Sequence, residues 1–172
     1  MSVIPQKVQD AINEQIKNEL YSAYIYLAMS AHFESESLTG FASWMRVQAR
    51  EEVTHGMKLF DYLTDRGGTV ALKAIQAPPS NFDSPLGIFQ TALKHEQEVT
   101  AMIHGLYALA AQEHDYPTQV ALNWFVTEQV EEEKTAAEIV AQLEMVADNR
   151  TALLLLDREM AGRGKAAAGA GA

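Results

Sequence analysis

Four long segments of this chain repeat apolar residues in steps of three and four, the spacing of one helical face. Each breaks the repeat near its midpoint with a polar residue. The first seam reads Ile12, Ile16, Glu19, Ala23, Tyr26, Ser30, Phe33, and the second Phe41, Met45, Gln48, Glu52, His55, Leu59, Tyr62. The third carries Phe89, Leu93, Glu96, Ile103 and Ala110, and the fourth Leu122, Phe125, Gln129, Glu132, Ala136, Ile139, Leu143 and Val146. Strand periodicity is almost absent. A seam is buried when helices bundle, and a buried carboxylate is costly unless it is paired or holds a metal. The segment midpoints lie near residues 19, 52, 99 and 131, within one turn of the polar exceptions. One all-α bundle of four helices would gather them into a single layer, which predicts a metal site.

The connections support that packing. Pro5 suits the first position of a helix that runs to about Phe33. The short polar link Glu34–Ser35–Glu36–Ser37 predicts an antiparallel neighbour from about Leu38 to Arg66, stopped by Gly67–Gly68. An irregular stretch containing Pro78–Pro79 follows. At about 3.3 Å per residue its roughly 16 residues cover ~50 Å, more than the ~42 Å of a helix of about 28 residues. The link can therefore run the length of the bundle, leaving the second and third helices parallel. Ser84 as N-cap and Pro85 open the third helix, which runs to about Glu113, and the fourth starts at Pro117 after Asp115. A break at Asp148–Asn149 precedes a short apolar fifth helix from about Thr151 to Met160. Residues 1–161 thus read as one domain, and the Gly/Ala-rich residues 162–172 as a mobile tail.

Composition narrows the partners. A formal charge of −10 argues against nucleic acid and against an anionic membrane surface, and suits a protein that collects cations. The absence of cysteine removes disulfides, thiolate zinc sites and iron–sulfur ligation. No apolar run approaches the roughly 20 residues of a membrane span. Met1–Pro5 shows no basic stretch leading into an apolar core, so a cytoplasmic location is expected.

Carboxylates with one imidazole suit iron or manganese and admit zinc. Glu52 and His55, at i and i+3, project from one face. The fourth helix offers Gln129-x-x-Glu132 where a second Glu-x-x-His would complete a symmetric di-iron site. The centre is therefore expected to be asymmetric, with one metal poor in nitrogen and more weakly held. Glu51, Glu128 and Glu131 flank the layer, and a solvated acidic face explains them as well as metal binding does. Tyr26, one heptad from Glu19, reads as a packed tyrosine with a satisfied hydroxyl or as a redox-active neighbour. Trp44 and Trp124 read as core, and His32, His95, His104 and His114 as ordinary histidines. The seven methionines read as gap-filling core.

Several motifs together resemble the non-haem ferritins of bacteria and archaea. They are Asn18–Ala23 in the first helix, Arg50–His55 in the second, Lys94–Gln97 in the third and Trp124–Lys134 in the fourth. The resemblance covers nearly all of the chain except the Gly/Ala tail. It implies that Glu19, Glu52 and His55 hold the first iron of a ferroxidase centre. Glu52 would bridge to a second iron held with Glu96 and Glu132, beside Gln129. Glu51, Glu128, Glu131 and Glu132 match a third, weaker iron position. Tyr26 and Trp124 match residues proposed as electron donors. The family also implies a hollow homo-oligomer of 24 subunits, in some archaeal relatives a more open shell. There Fe(II) is oxidised by dioxygen or hydrogen peroxide and stored as ferric oxyhydroxide. Val53 stands where haem-binding relatives carry a methionine, so no haem is expected. The rival readings are a small di-iron or dimanganese oxidase or peroxidase without mineral storage, and a metal-free interaction bundle.

Overall fold

The computed structural model describes residues 4–169, with side chains as far as Arg163. Its helices are α1 (Gln6–Ser35), α2 (Thr39–Asp65), α3 (Pro85–Gln112), α4 (Tyr116–Val146) and α5 (Arg150–Gly169). No strand occurs among the described residues, and no helix there is long and apolar enough to cross a membrane. α1 packs along α2, α3 along α4, and α5 docks on α2. Tight reversals join the antiparallel pairs. They turn through left-handed backbone at Ser37 (φ 60°) and at His114 (φ 56°), a conformation histidine adopts more readily than most residues.

Two apolar cores fill the bundle. One gathers the C-terminal halves of α1 and α4 with the N-terminal halves of α2 and α3, around Met29, Phe33, Phe41, Met45 and Phe89. Phe33 and Phe41 stack there with ring centroids 5.2 Å apart. The other, around Ile12, Ile16, Leu59, Leu63, Ile103 and Leu122, fills the opposite end. The shared ends make α2 and α3 parallel, as the long link predicted. Burying each such side chain is worth about 1.5–3 kcal/mol, which offsets the cost of the polar layer between the cores. That layer is Glu19, Gln48, Glu52, His55, Glu96, Gln129 and Glu132, all buried.

The crossover between α2 and α3 is held by the polar face of α1. Asn13 donates to the Thr69 carbonyl (3.0 Å) and accepts from the Ala71 amide (2.8 Å), while Gln9 accepts from the Thr69 amide (2.9 Å). Ser84 Oγ accepts from the Gly87 amide at 3.1 Å with Pro85 first in α3, the predicted cap.

Three seam residues, Tyr62, Leu93 and Val146, are half-buried instead of inside. The fifth helix runs to Gly169, beyond the expected end near Met160 and through Gly162. Docking on α2 outweighs the glycine penalty of about 1 kcal/mol. Asp157 accepts from the Phe41 amide at 2.9 Å, capping α2 where Leu38 supplies no side-chain cap. Gly40 permits the approach, because a Cβ there would lie 1.6 Å from the Asp157 carbonyl oxygen. Of the tail expected to be mobile, Ala170–Ala172 lie outside the described residues, as do Met1–Val3.

Candidate metal centre

Each main helix contributes to the layer between the cores. From α1 comes Glu19, from α2 Glu52 and His55, from α3 Glu96, and from α4 Gln129 and Glu132. His55 Nδ1 lies 3.4 Å from Glu52 Oε2 and 3.9 Å from Glu19 Oε2. Glu19, Glu52 and His55 each offer a ligand atom within 4.8 Å of the others, and so do His55, Glu128 and Glu132.

Hydrogen bonds satisfy most of these oxygens, and one that is fully buried has none among the described residues. Gln15 donates to Glu19 Oε1 at 2.8 Å. Gln48 donates to Glu52 Oε1 (3.2 Å) and to Glu132 Oε2 (2.8 Å). Tyr26 Oη donates to Glu96 Oε1. Gln129 donates to the Glu96 carbonyl (3.1 Å) and to Glu96 Oε2 (3.2 Å). Glu19 Oε2 alone among the described buried side-chain oxygens and nitrogens has no hydrogen-bond partner. An unpartnered buried carboxylate oxygen facing an imidazole and a second carboxylate is what a cation would complete.

The protonation of the layer agrees. Burial, reinforced by the neighbouring Glu52 charge, pushes Glu19 up to about 8. Burial and then Glu96 push Glu132 up to about 7. Burial first, then Glu96 and Glu132, lifts Glu52 well above the usual carboxylate range, and burial lifts Glu96. Burial, with Glu96 and other acids of the layer, also holds the Tyr26 hydroxyl well above its ordinary value. Too many acids share the space for all to ionise without a cation. All-oxygen donors plus one imidazole match a hard or borderline metal such as iron.

The flanking acids separate. Glu128 joins His55 and Glu132. Glu51 Oε2 is 2.5 Å from Arg163 Nη2. Glu131 is exposed and belongs to neither ligand group among the described residues. Trp44 is core, but Trp124 is not: it is 38% exposed, with its ring edge-on to His55 at 5.2 Å and Lys58 Nζ 4.3 Å from its centre. The neighbouring Phe125 takes the inward position. His95 is more than ordinary, since Nε2 lies 2.7 Å from Ser22 Oγ and its ring meets Tyr26 edge-on at 6.5 Å. Gln15 and Gln48 carry no role in the sequence reading, although each precedes a layer glutamate by four residues. That spacing was the available signal.

Relatives carry the same architecture. A family model described as Ferritin-like domain matches residues 9–146. A bacterial non-heme ferritin of Staphylococcus aureus is 38% identical over 161 residues, covering 94% of this chain and 97% of the relative. Its counterpart in Staphylococcus saprophyticus is 40% identical over 161 residues, covering 94% and 96%. An open-pore ferritin from the hyperthermophilic archaeon Archaeoglobus fulgidus superposes with a TM-score of 0.92 at 48% identity, covering 94% of this chain and 98% of that one. A closed form of the archaeal ferritin, engineered by site-directed mutagenesis, gives a TM-score of 0.91 at 48% identity, covering 92% and 96%. The buried carboxylate layer and these matches along nearly the whole chain lead to one conclusion: the chain belongs to the ferritin family.

Proposed function

We infer that this ferritin oxidises Fe(II) within each subunit and stores the product as a ferric mineral inside a homo-oligomeric shell. The observation that carries this reading is one buried layer of four glutamates and a histidine, with Glu19 Oε2 left without a donor. Iron is substrate and cargo. Glu19, Glu52 and His55 hold the first Fe(II), and Glu52 reaches toward a second between Glu96 and Glu132. Gln129 and Tyr26 restrain the Glu96 carboxylate. Each Fe(II) gives up one electron, so an adjacent pair delivers the two that take dioxygen to the level of peroxide. Carboxylates favour the ferric product because its higher charge binds hard oxygen donors more strongly. Tyr26, which donates to Glu96, is placed to give a further electron as its phenolic proton passes to the Glu96 carboxylate.

Glu51, Glu128 and Glu131, with Glu132, form a third and weaker position on the way to storage. Glu128 and Glu132 approaching His55 support a short path from the second position to the third. The shell contains 24 subunits and is cytoplasmic, in a reducing compartment where Fe(II) persists. The Archaeoglobus ferritin is open-pored and a form of it engineered by site-directed mutagenesis is closed, so the symmetry of the shell is a property to be measured for this chain.

Anaerobic loading with Fe(II) followed by air tests the reading. It should give a fast oxidation phase and then a mineral that stays in solution. Glu52→Ala and His55→Ala should each slow the fast phase by at least about 100-fold, more than loss of a group that only orients a ligand. An unchanged initial rate would remove the assigned centre. A particle on the order of several hundred kilodaltons on gel filtration supports storage, whereas a dimer would favour an oxidase on the same bundle.

A further inference from the structure

Among the described side chains of α5, Arg163 reaches the metal layer. Arg163 Nη1 donates to Gln48 Oε1 at 2.9 Å, Nη2 lies 2.5 Å from Glu51 Oε2, and the guanidinium sits 4.5 Å from the centre of the Trp44 ring. An amide has one accepting and one donating end. With the Gln48 oxygen held by Arg163, its NH2 is turned to Glu52 and Glu132, at 3.2 and 2.8 Å. One guanidinium therefore touches a flanking acid directly and two layer carboxylates through a single amide. The pair stands at the open edge of the layer, with the Arg163 and Glu51 side chains 29% and 43% exposed.

We propose that Arg163 is a positioning residue that closes the Glu51 end of the metal centre: it occupies Glu51 until a divalent cation displaces it, and through Gln48 it holds Glu52 and Glu132 in place. This rests on the reading of Glu51 as part of the third metal position. Guanidinium and metal ion compete for one carboxylate oxygen, and both are cations. When the metal wins, Gln48 loses the partner that fixed its orientation and can turn away from Glu52 and Glu132. Filling of the third position then loosens the hold on the pair behind it, which links arrival at the exit to release from the centre. Lysine would keep the charge on Glu51 but lacks the planar fork that also reaches Gln48.

Zinc, which is redox-inert, tests this in the assembled full-length protein by calorimetric titration. Arg163→Gln should tighten the weakest class of zinc sites about three- to tenfold, the loss of one partly exposed, charge-assisted competitor. The number of tight sites should not change, but their affinity should fall, because Gln48 loses the partner that keeps its amide on Glu52 and Glu132. Arg163→Lys should bring the weak class back to within about twofold of wild type, since the competing charge returns. A second readout leaves Arg163 in place. In Trp124→Phe protein, Trp44 emission should change only as the weakest class fills, because that is when the guanidinium leaves its ring. An unchanged weak class in an assembled Arg163→Gln shell, uniform weakening of every class, or Trp44 emission blind to the last zinc would each overturn the proposal. Absence of tight zinc binding in the wild type would instead overturn the metal centre itself.

Discussion

Gln15 and Gln48 each stand one helical turn before a glutamate of the layer, and each turns its amide NH2 to that glutamate. They donate to the charged form and so oppose burial, which raises both Glu19 and Glu52. Among the described residues Gln15 donates to one Glu19 oxygen, and the second oxygen has no hydrogen-bond partner. Gln15→Leu should therefore weaken the tight class of zinc sites by about 10–100-fold, the usual cost of losing a group that orients a metal ligand. Calorimetry would show this, and unchanged affinity would mean the amide is only packing. The raised acids also fix a sign for pH. Glu19, near 8, and Glu132, near 7, keep protons in the empty fold that the unfolded chain gives up near the ordinary value of 4.5. Their contribution to stability is complete below about 4.5 and fades as pH rises through 7 to 8. A cation reverses the preference by displacing those protons. Zinc should raise the melting temperature more at pH 9 than at pH 6, and should release protons at pH 6 but few at pH 9. Calorimetry in buffers of different ionisation heat would measure the release, and equal release at both values would contradict the assignment. At this scale the layer residues were legible because a polar residue in an apolar seam is conspicuous. The contacts of His95 and Arg163 were not, because they depend on which helix lies beside them.

α5 is the element that sequence periodicity described least well. The glycine at 162 reads locally as a stop, yet the helix continues because α2 supplies a surface for it. The dock is tight where Gly40 meets the Asp157 backbone. Gly40→Ala should force the helices apart, losing the Asp157 cap on α2 and about 1–3 kcal/mol in the way other overpacked contacts do. The expected outcome is faster amide exchange in α5, with α1, α3 and α4 still protected. Uniform exchange would mean that α5 is integral to the bundle. The other helices followed their signals closely. Ser84–Pro85 opened α3, and the predicted length of the crossover matched the parallel placement of α2 and α3. Trp124 misled because size suggests burial, while α4 turns Phe125 inward and leaves the indole over His55 and Lys58.

The four helices of one subunit suffice to gather Glu19, Glu52, His55, Glu96 and Glu132 into a layer, whereas an enclosed store needs further copies. The layer needs the two cores that clamp it; the mineral needs walls made by other copies. Those copies have apolar surface to meet. Tyr24, Leu27, Val53 and Met57 are 49, 48, 43 and 44% exposed along the outer face of α1 and α2, and Leu27 and Val53 line a cavity of about 470 Å³ there with Arg46 and Arg50. Leu154 and Leu155 on α5 are 52 and 60% exposed. Apolar patches of this kind are costly on a free subunit and mark surfaces that associate. A Leu27→Glu, Leu155→Glu double variant places a carboxylate on each face without touching the layer. It should leave a smaller particle on gel filtration, with the helical content of the wild type. Its fast oxidation phase should stay within about threefold of wild type, because no ligand has moved. The oxidised iron, with no enclosed space to grow in, should then appear as precipitate. A double variant that loses the fast phase while its subunits remain folded would show that association shapes the metal layer as well as the container.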